Sequence, residues 1–185
     1  MKDNYFIIHG SFSSPYSNWF GWLYQELSNQ GKEVYTPSFP IGVKYQNFDN
    51  WTKLLNCYYH LGLINENTTI IAHSIGPVFI SKYLILNKIK VKKLIFVAGF
   101  NNYLGINKDY DQVNHSMYLD NIEEIHQYCS KIICLYSNND PYVNFEEESK
   151  FAASVSTISK IIPNAGHLNS ESGYDKFDEL LEYLN

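Results

Sequence analysis

One serine in this sequence lies in a short motif of small residues that is suited to nucleophilic chemistry. The stretch Ala72-His73-Ser74-Ile75-Gly76 follows an apolar run and precedes a helical pattern. A sharp turn from a strand into a helix exposes the serine hydroxyl, and the residues two before and two after it must be small because they come close together. Ala72 and Gly76 meet that requirement, although Ala72 carries one methyl more than the usual glycine. The motif predicts Ser74 as a nucleophile, with the N–H of Ile75 as an oxyanion donor, but a strand-turn-helix that contains a serine by chance has the same pattern.

An acid and a base follow two later apolar runs. Asp140 lies in Asn138-Asn-Asp-Pro141, and His167 lies in Asn164-Ala-Gly-His-Leu168. Taken singly, Asp140 fits an ordinary Asp-Pro turn, and His167 fits a loop histidine without a catalytic role. The chain order Ser…Asp…His, with each residue after a strand, is the order of a catalytic triad on the α/β-hydrolase fold. We therefore expect Ser74, His167 and Asp140 to act together in acyl transfer.

The loop after the first apolar run, His9-Gly10-Ser11-Phe12, is the place where such enzymes put a second oxyanion donor. The N–H groups of Ser11 and Phe12 are equal candidates, and a plain glycine turn would have the same sequence. We expect His9 and Gly10 to border the substrate pocket.

Residues 101–120 lack a clean period and are rich in Asn, Asp and Tyr, which predicts a cap-like excursion over the site. Aromatic residues in and beside it either shape an acyl pocket or only pack the excursion down, namely Phe100, Tyr103, Tyr110 and Tyr118. Asp109 and Asp111 are rival triad acids. They are weaker candidates than Asp140 because they do not directly follow a strand.

Apolar runs alternate with helical patterns along the whole chain. The patterns predict strands at 5–8, 33–36, 68–72, 91–98, 132–136 and 157–162, and helices at 19–29, 48–61, 75–87, 121–130, 145–154 and 174–183. Such alternation favours a mainly parallel sheet of about six strands, covered on both faces by helices and joined by right-handed crossovers. We predict an α/β fold, a three-layer α/β/α sandwich, in a single domain over residues 1–185.

The composition limits the class of protein. The chain has 185 residues, of which 45% are hydrophobic and 18% charged, which is a globular balance. Its formal net charge of -5 argues against nucleic acid as a partner. No apolar stretch approaches the roughly 20 residues of a membrane span. The three cysteines match no metal or redox spacing, so the sequence predicts a soluble, cytoplasmic protein without a metal or an organic cofactor.

Several motifs together resemble the small serine hydrolases related to retinoblastoma-binding protein 9, a compact branch of the α/β-hydrolases. The resemblance runs nearly end to end and is carried by His9-Gly10 with Trp19-Phe-Gly-Trp22-Leu23, by Thr69-Ile-Ile-Ala-His-Ser-Ile-Gly76, by Ser137-Asn-Asn-Asp-Pro-Tyr-Val143 and by Gly166-His-Leu-Asn169. It implies a reduced hydrolase sheet without the first antiparallel strands, and the same triad. It does not imply a particular substrate.

Three functions are compatible with these residues. The first is hydrolysis of a carboxylic ester of a small substrate through an acyl-enzyme, and the second is a thioesterase or peptidase that uses the same triad. The third is a protein-binding module that keeps the fold with little turnover, for which no partner is identifiable from the sequence.

Overall fold

The computed structural model describes residues 3–184 and shows a six-stranded sheet in which every neighbouring pair of strands is parallel. The strands are β1 (Asn4–Ile8), β2 (Glu33–Tyr35), β3 (Thr68–His73), β4 (Lys93–Val97), β5 (Ile132–Ser137) and β6 (Ile158–Ile162). The helices are α1 (Phe20–Asn29), α2 (Phe48–His60), α3 (Gly76–Asn87), α4 (Lys108–Asn114), α5 (Phe145–Val155) and α6 (Asp178–Leu181). The predicted three-layer α/β fold is confirmed.

The strand order β2-β1-β3-β4-β5-β6 changes direction beside β1. The chain moves from β1 to one side to form β2, and then returns to the other side of β1 to form β3. In open parallel sheets such a reversal opens a crevice beyond the carboxyl ends of the two strands, and ligands bind there. The loops that leave β1 and β3 therefore lie at the crevice, and these loops carry Gly10 and Ser74.

Side-chain alternation along the strands builds two cores, one on each face of the sheet. On β1, Phe6 and Ile8 pack with residues of α2, α3 and α5, whereas Tyr5 and Ile7 pack with residues of α1 and α6. Both faces of each inner strand are thus buried, which is typical of a parallel sheet covered by helices. No helix among the described residues is both long and apolar enough to cross a membrane.

The structure differs from the predicted elements at three places. The segment predicted as a helix at 121–130 forms a 3₁₀ helix at Ile122–Gln127, in which the buried side chains of Ile122 and Ile125 are one three-residue turn apart. The excursion at 101–120 contains the short helix α4, which seven residues with mostly exposed side chains did not reveal as a periodic pattern. The final helix, predicted over 174–183, is reduced to α6. Phe177 is extended ahead of it and its ring packs against Trp19 and Tyr174, so burial of this aromatic side chain prevents an earlier helix start.

Candidate active site

Ser74 lies at a strained turn between β3 and α3. Its backbone φ is +62°, in the left-handed region that a residue with a side chain rarely adopts. The N–H of Ser74 donates to the carbonyl of Val97 over 2.9 Å, which ties the turn to β4. A methyl group on Gly76 would lie 3.3 Å from the Cβ of Ala72. The turn therefore needs small residues on both sides, and alanine is small enough at position 72.

Gly10 approaches the serine from the loop after β1. A Cβ placed on Gly10 would lie 2.8 Å from the Cβ of Ser74 and 3.3 Å from its hydroxyl oxygen. Real Cβ atoms do not come this close to a neighbouring backbone-anchored atom, so a side chain at position 10 would displace Ser74 or the loop. Gly10 thus keeps the two loops at the distance that the site needs.

Replacing Gly10 by alanine is expected to lower kcat by about 10²-fold, because misplacing a reacting group by a fraction of an ångström to an ångström costs about that much. Steady-state kinetics on a chromogenic ester checks this. Gly21→Ala is the matched control, since a methyl group at Gly21 meets nothing within 4 Å. A Gly10→Ala enzyme with the same kcat as Gly21→Ala would contradict the proposed packing.

His167 and Asp140 form a hydrogen-bonded pair beside this turn. The Nδ1 of His167 is 2.5 Å from the Oδ2 of Asp140. The other oxygen, Oδ1, accepts the N–H groups of Tyr142 at 2.7 Å and Val143 at 3.0 Å. Burial of the side chain acts to raise the pKa of Asp140, but the hydrogen bonds from His167 and from the two N–H groups outweigh it and lower that pKa. Asp140 is therefore an ionised acceptor that holds the imidazole.

His73 contacts His167 through a hydrogen bond and through ring packing. Its Nε2 donates to the backbone carbonyl of His167 over 2.9 Å, and the two ring centroids are 4.8 Å apart. Burial lowers the pKa of His73 to about 3, so the ring is neutral and keeps this donated hydrogen bond. Sequence reasoning did not assign this role to His73, although its place next to Ser74 at the end of β3 was a usable signal.

Ser74 and His167 line one pocket with a volume of about 190 Å³. Residues from the loop after β1 line it as well, namely Gly10, Ser11, Phe12, Ser13, Ser17 and Asn18. Among the three predicted triad residues, His167 and Asp140 are joined by a hydrogen bond. Within residues 3–184, Ser74 makes no direct hydrogen bond to His167. Hydrogen bonds between a nucleophile and its base are often long without substrate and tighten when it binds.

The structure brings some of the predicted pocket residues together and places others elsewhere. Phe100 lines the pocket beside Leu104, Ile106 and Tyr110. His9 does not line it, because its buried ring accepts the N–H of Phe39 at Nε2 and donates from Nδ1 to the carbonyl of Gly10. Tyr103 does not line it either and is 63% exposed.

The two alternative oxyanion donors differ in their contacts. The N–H of Phe12 donates to Oε1 of Gln46 over 3.0 Å. The hydroxyl of Ser11 donates to Oδ1 of Asn114 over 2.6 Å, and within the described part of the chain its backbone N–H has no partner. The side chains of Gln46 and Asn114 are linked in turn over 3.3 Å. This buried amide pair was not foreseen from the sequence.

The rival acids lie apart from His167. Oδ1 of Asp111 accepts the N–H groups of Leu104 and Gly105, which stabilises the excursion. Asp109 is exposed in the first turn of α4. Neither residue lines the pocket, whereas Tyr142 and Glu171, joined by a hydrogen bond of 2.5 Å between the phenol and the carboxylate, both do.

Known proteins resemble this chain in sequence and in structure. Over its full length the chain is 23% identical to the putative hydrolase YdeN of Bacillus subtilis (strain 168), and the match covers 98% of that protein. The crystal structure of the B. subtilis ydeN gene product superposes with a TM-score of 0.85, and the superposition covers 100% of this chain and 97% of that chain. Est1E from Butyrivibrio proteoclasticus superposes with a TM-score of 0.71 at 15% identity, covering 98% of this chain and 85% of that one.

A third structure, the N-formylmaleamic acid deformylase of Pseudomonas putida S16, superposes with a TM-score of 0.70 at 10% identity, covering 100% of this chain and 92% of that one. At such identities these structures support the α/β-hydrolase fold alone. The family model described as serine hydrolase matches residues 5–185, nearly the whole chain. The chain therefore belongs to the serine hydrolase family.

Proposed function

We propose that the protein hydrolyses a carboxylic ester, or a related acyl bond, of a small substrate through Ser74, His167 and Asp140. One observation carries the proposal: His167, which is hydrogen-bonded to Asp140, lines the same pocket as Ser74 at its strained turn, and this turn follows β3 at the point where the strand order reverses. Membership of the serine hydrolase family supports the same chemistry.

The reaction begins when His167 takes the proton of Ser74 and the serine oxygen attacks the carbonyl carbon. Asp140 is ionised and accepts from Nδ1, so Nε2 is left as the base, and the carboxylate stabilises the imidazolium that forms. The imidazolium then gives its proton to the leaving alcohol. Water attacks the acyl-enzyme with His167 again as base, and the acid product leaves.

The oxyanion that develops on the carbonyl oxygen needs donors that have no other partner. The N–H of Ile75, ahead of α3, is one such donor. Ser11 supplies the second in this proposal, because the N–H of Phe12 is occupied by Gln46. The contact between Gln46 and Asn114, together with the bond from the Ser11 hydroxyl, keeps the loop in that orientation.

The lining of the pocket favours small acyl groups with an apolar part. The apolar and aromatic lining residues suit an apolar acyl part, and they are Phe12, Phe100, Leu104, Ile106, Tyr110 and Val143. Serine and asparagine side chains of the loop after β1 also line the pocket and suit a polar leaving group. A volume of about 190 Å³ favours short acyl groups over long ones, and we propose an ester as the bond that is cleaved.

Two sequence motifs and the three cysteines support a branch of the family and a cellular compartment for this protein. Asp140-Pro-Tyr-Val143 and Gly166-His-Leu-Asn169 support membership of the branch related to retinoblastoma-binding protein 9. The unpaired cysteines, with Cys129 and Cys134 buried as thiols, support a reducing compartment such as the cytoplasm.

Hydrolysis of p-nitrophenyl acetate, butyrate, octanoate and laurate, measured beside matched thioesters and aminoacyl amides, tests the proposal. We expect the short esters to be cleaved fastest, with a burst of p-nitrophenol equal to the enzyme concentration as the acyl-enzyme forms. Faster turnover of the thioesters or amides would indicate that the same site serves the second function, that of a thioesterase or peptidase. Absence of turnover on all three classes would contradict the proposed enzyme activity.

A further inference from the structure

A second carboxyl group lies buried beside the proposed triad acid. Glu148 is on α5, where it shares the buried stripe of the helix with Phe151, Ala152 and Val155. Only 1% of Glu148 is exposed, at a position where the helical pattern calls for an apolar residue. The other charged side chains of this helix, Glu146, Glu147 and Lys150, pair with one another.

Neither carboxyl oxygen of Glu148 accepts a hydrogen bond of good geometry from a donor within residues 3–184. A buried charge without a partner is too costly to persist, so the group takes up a proton instead. Burial, the nearby charge of Asp140 and a hydrogen bond that protonated Glu148 can share with Asp140 together raise the pKa of Glu148 to about 10. The backbone of Ser137 acts in the opposite direction and is outweighed. Asp140 keeps its charge because His167 is bonded to it.

The acceptor sites of the Asp140 carboxylate indicate which group accepts a hydrogen bond from protonated Glu148. A carboxylate offers about four lone-pair sites. His167 and the N–H groups of Tyr142 and Val143 use three of them. A protonated Glu148 is the neighbouring group that can donate to the fourth.

We propose that Glu148 is a neutral carboxylic acid that positions Asp140 by donating its O–H to the Asp140 carboxylate. Glu148 is a positioning residue, since it acts on the imidazole only through Asp140. The inference rests on the proposed triad for its role in turnover, whereas the proton held by Glu148 can be measured without any reaction.

The first test is the pH dependence of thermal unfolding for wild type, Glu148→Gln and Glu146→Gln. Unfolded Glu148 loses its proton near its ordinary pKa of 4.5, but the folded protein holds the proton up to about pH 10. Between these values the folded state binds one proton more, so stability falls as the pH rises. We expect the Tm of wild type and of Glu146→Gln, whose side chain is 77% exposed, to fall from pH 5 to pH 8 more than that of Glu148→Gln. Parallel curves for all three proteins would overturn the proposal.

The second test separates positioning from mere packing. The amide of Glu148→Gln can still donate to Asp140, so we expect kcat within about threefold of wild type, whereas the apolar Glu148→Met loses about tenfold in kcat with little change in KM. Above pH 9 the wild type should lose activity as Glu148 ionises, and Glu148→Gln should not. Equal kcat values and equal pH profiles in all three proteins would overturn the positioning role.

A measurement of the His167 Nδ1 proton by NMR keeps this inference distinct from the proposed function. We expect a far-downfield signal in wild type and Glu148→Gln that moves upfield in Glu148→Met, because the carboxylate loses its orientation. If no variant hydrolyses any ester but this pattern holds, the proposed function fails and the contact between Glu148 and Asp140 stands. An unchanged signal in Glu148→Met would contradict that contact.

Discussion

Replacing Ser74 by alanine should lower kcat by about 10⁶-fold, the largest effect that we expect from any single change in this chain. The hydroxyl oxygen of Ser74 forms the bond of the acyl-enzyme in this proposal, and Ser74 itself adopts the strained backbone conformation with φ of +62°. The pocket lining is otherwise unchanged, so substrate should still bind with a similar Kd. Single-turnover kinetics on p-nitrophenyl butyrate, with equilibrium binding of a non-hydrolysable analogue, measures both quantities.

Ser154→Ala is the control for this change. Ser154 is exposed on α5, its hydroxyl donates to the carbonyl of Lys150, and the residue does not line the pocket. We expect wild-type kinetics from this variant. A Ser74→Ala protein that retains even one-hundredth of the wild-type kcat would show that another group attacks the substrate.

Replacing Asp140 by asparagine should lower kcat by about 10⁴-fold while leaving the fold intact. The amide is nearly the same size as the carboxylate, but it has no charge to stabilise the imidazolium. If its NH₂ group faces Nδ1, the ring is also held in the wrong tautomer. The hydrogen bonds from Tyr142 and Val143 to Oδ1 can be kept by the amide oxygen. Steady-state kcat and KM of Asp140→Asn beside wild type, with a circular dichroism spectrum to confirm the fold, measure the loss.

Asp109→Asn removes the same charge from the exposed start of α4 and serves as the matched control. It should leave kcat unchanged, since Asp109 does not line the pocket. A larger loss in Asp109→Asn than in Asp140→Asn would move the acid to the excursion.

The parts of the site that could be predicted from sequence are those set by local signals. The apolar strand, the small residues Ala72 and Gly76 and the helical pattern after Ser74 all lie within one short stretch, and the structure forms the turn that they predict. Asp140 and His167 each follow a strand in the same way, and strand ends of a parallel sheet meet at one edge. The parallel pairing of the strands and the two buried faces of the sheet follow from the alternation of strands and helices.

The remaining features depend on contacts between distant parts of the chain. Choosing between Ser11 and Phe12 requires the position of the Gln46 amide, which lies 34 residues from Phe12. The support of His167 by His73 and the approach of Glu148 to Asp140 likewise arise only when separate elements pack together. Glu148 was hidden for a further reason: a glutamate within a helix is usually solvated, and only its burial reveals a neutral acid.

Ser74 is the proposed nucleophile, activated by His167 and Asp140. Reaction with a fluorophosphonate probe, followed by peptide mapping, tests this role most directly because the probe forms a bond only with an activated serine. We predict one label per chain on Ser74, none in Ser74→Ala and much slower labelling in Asp140→Asn. A wild-type protein that stays unlabelled, or that carries the label on another residue, would contradict this account.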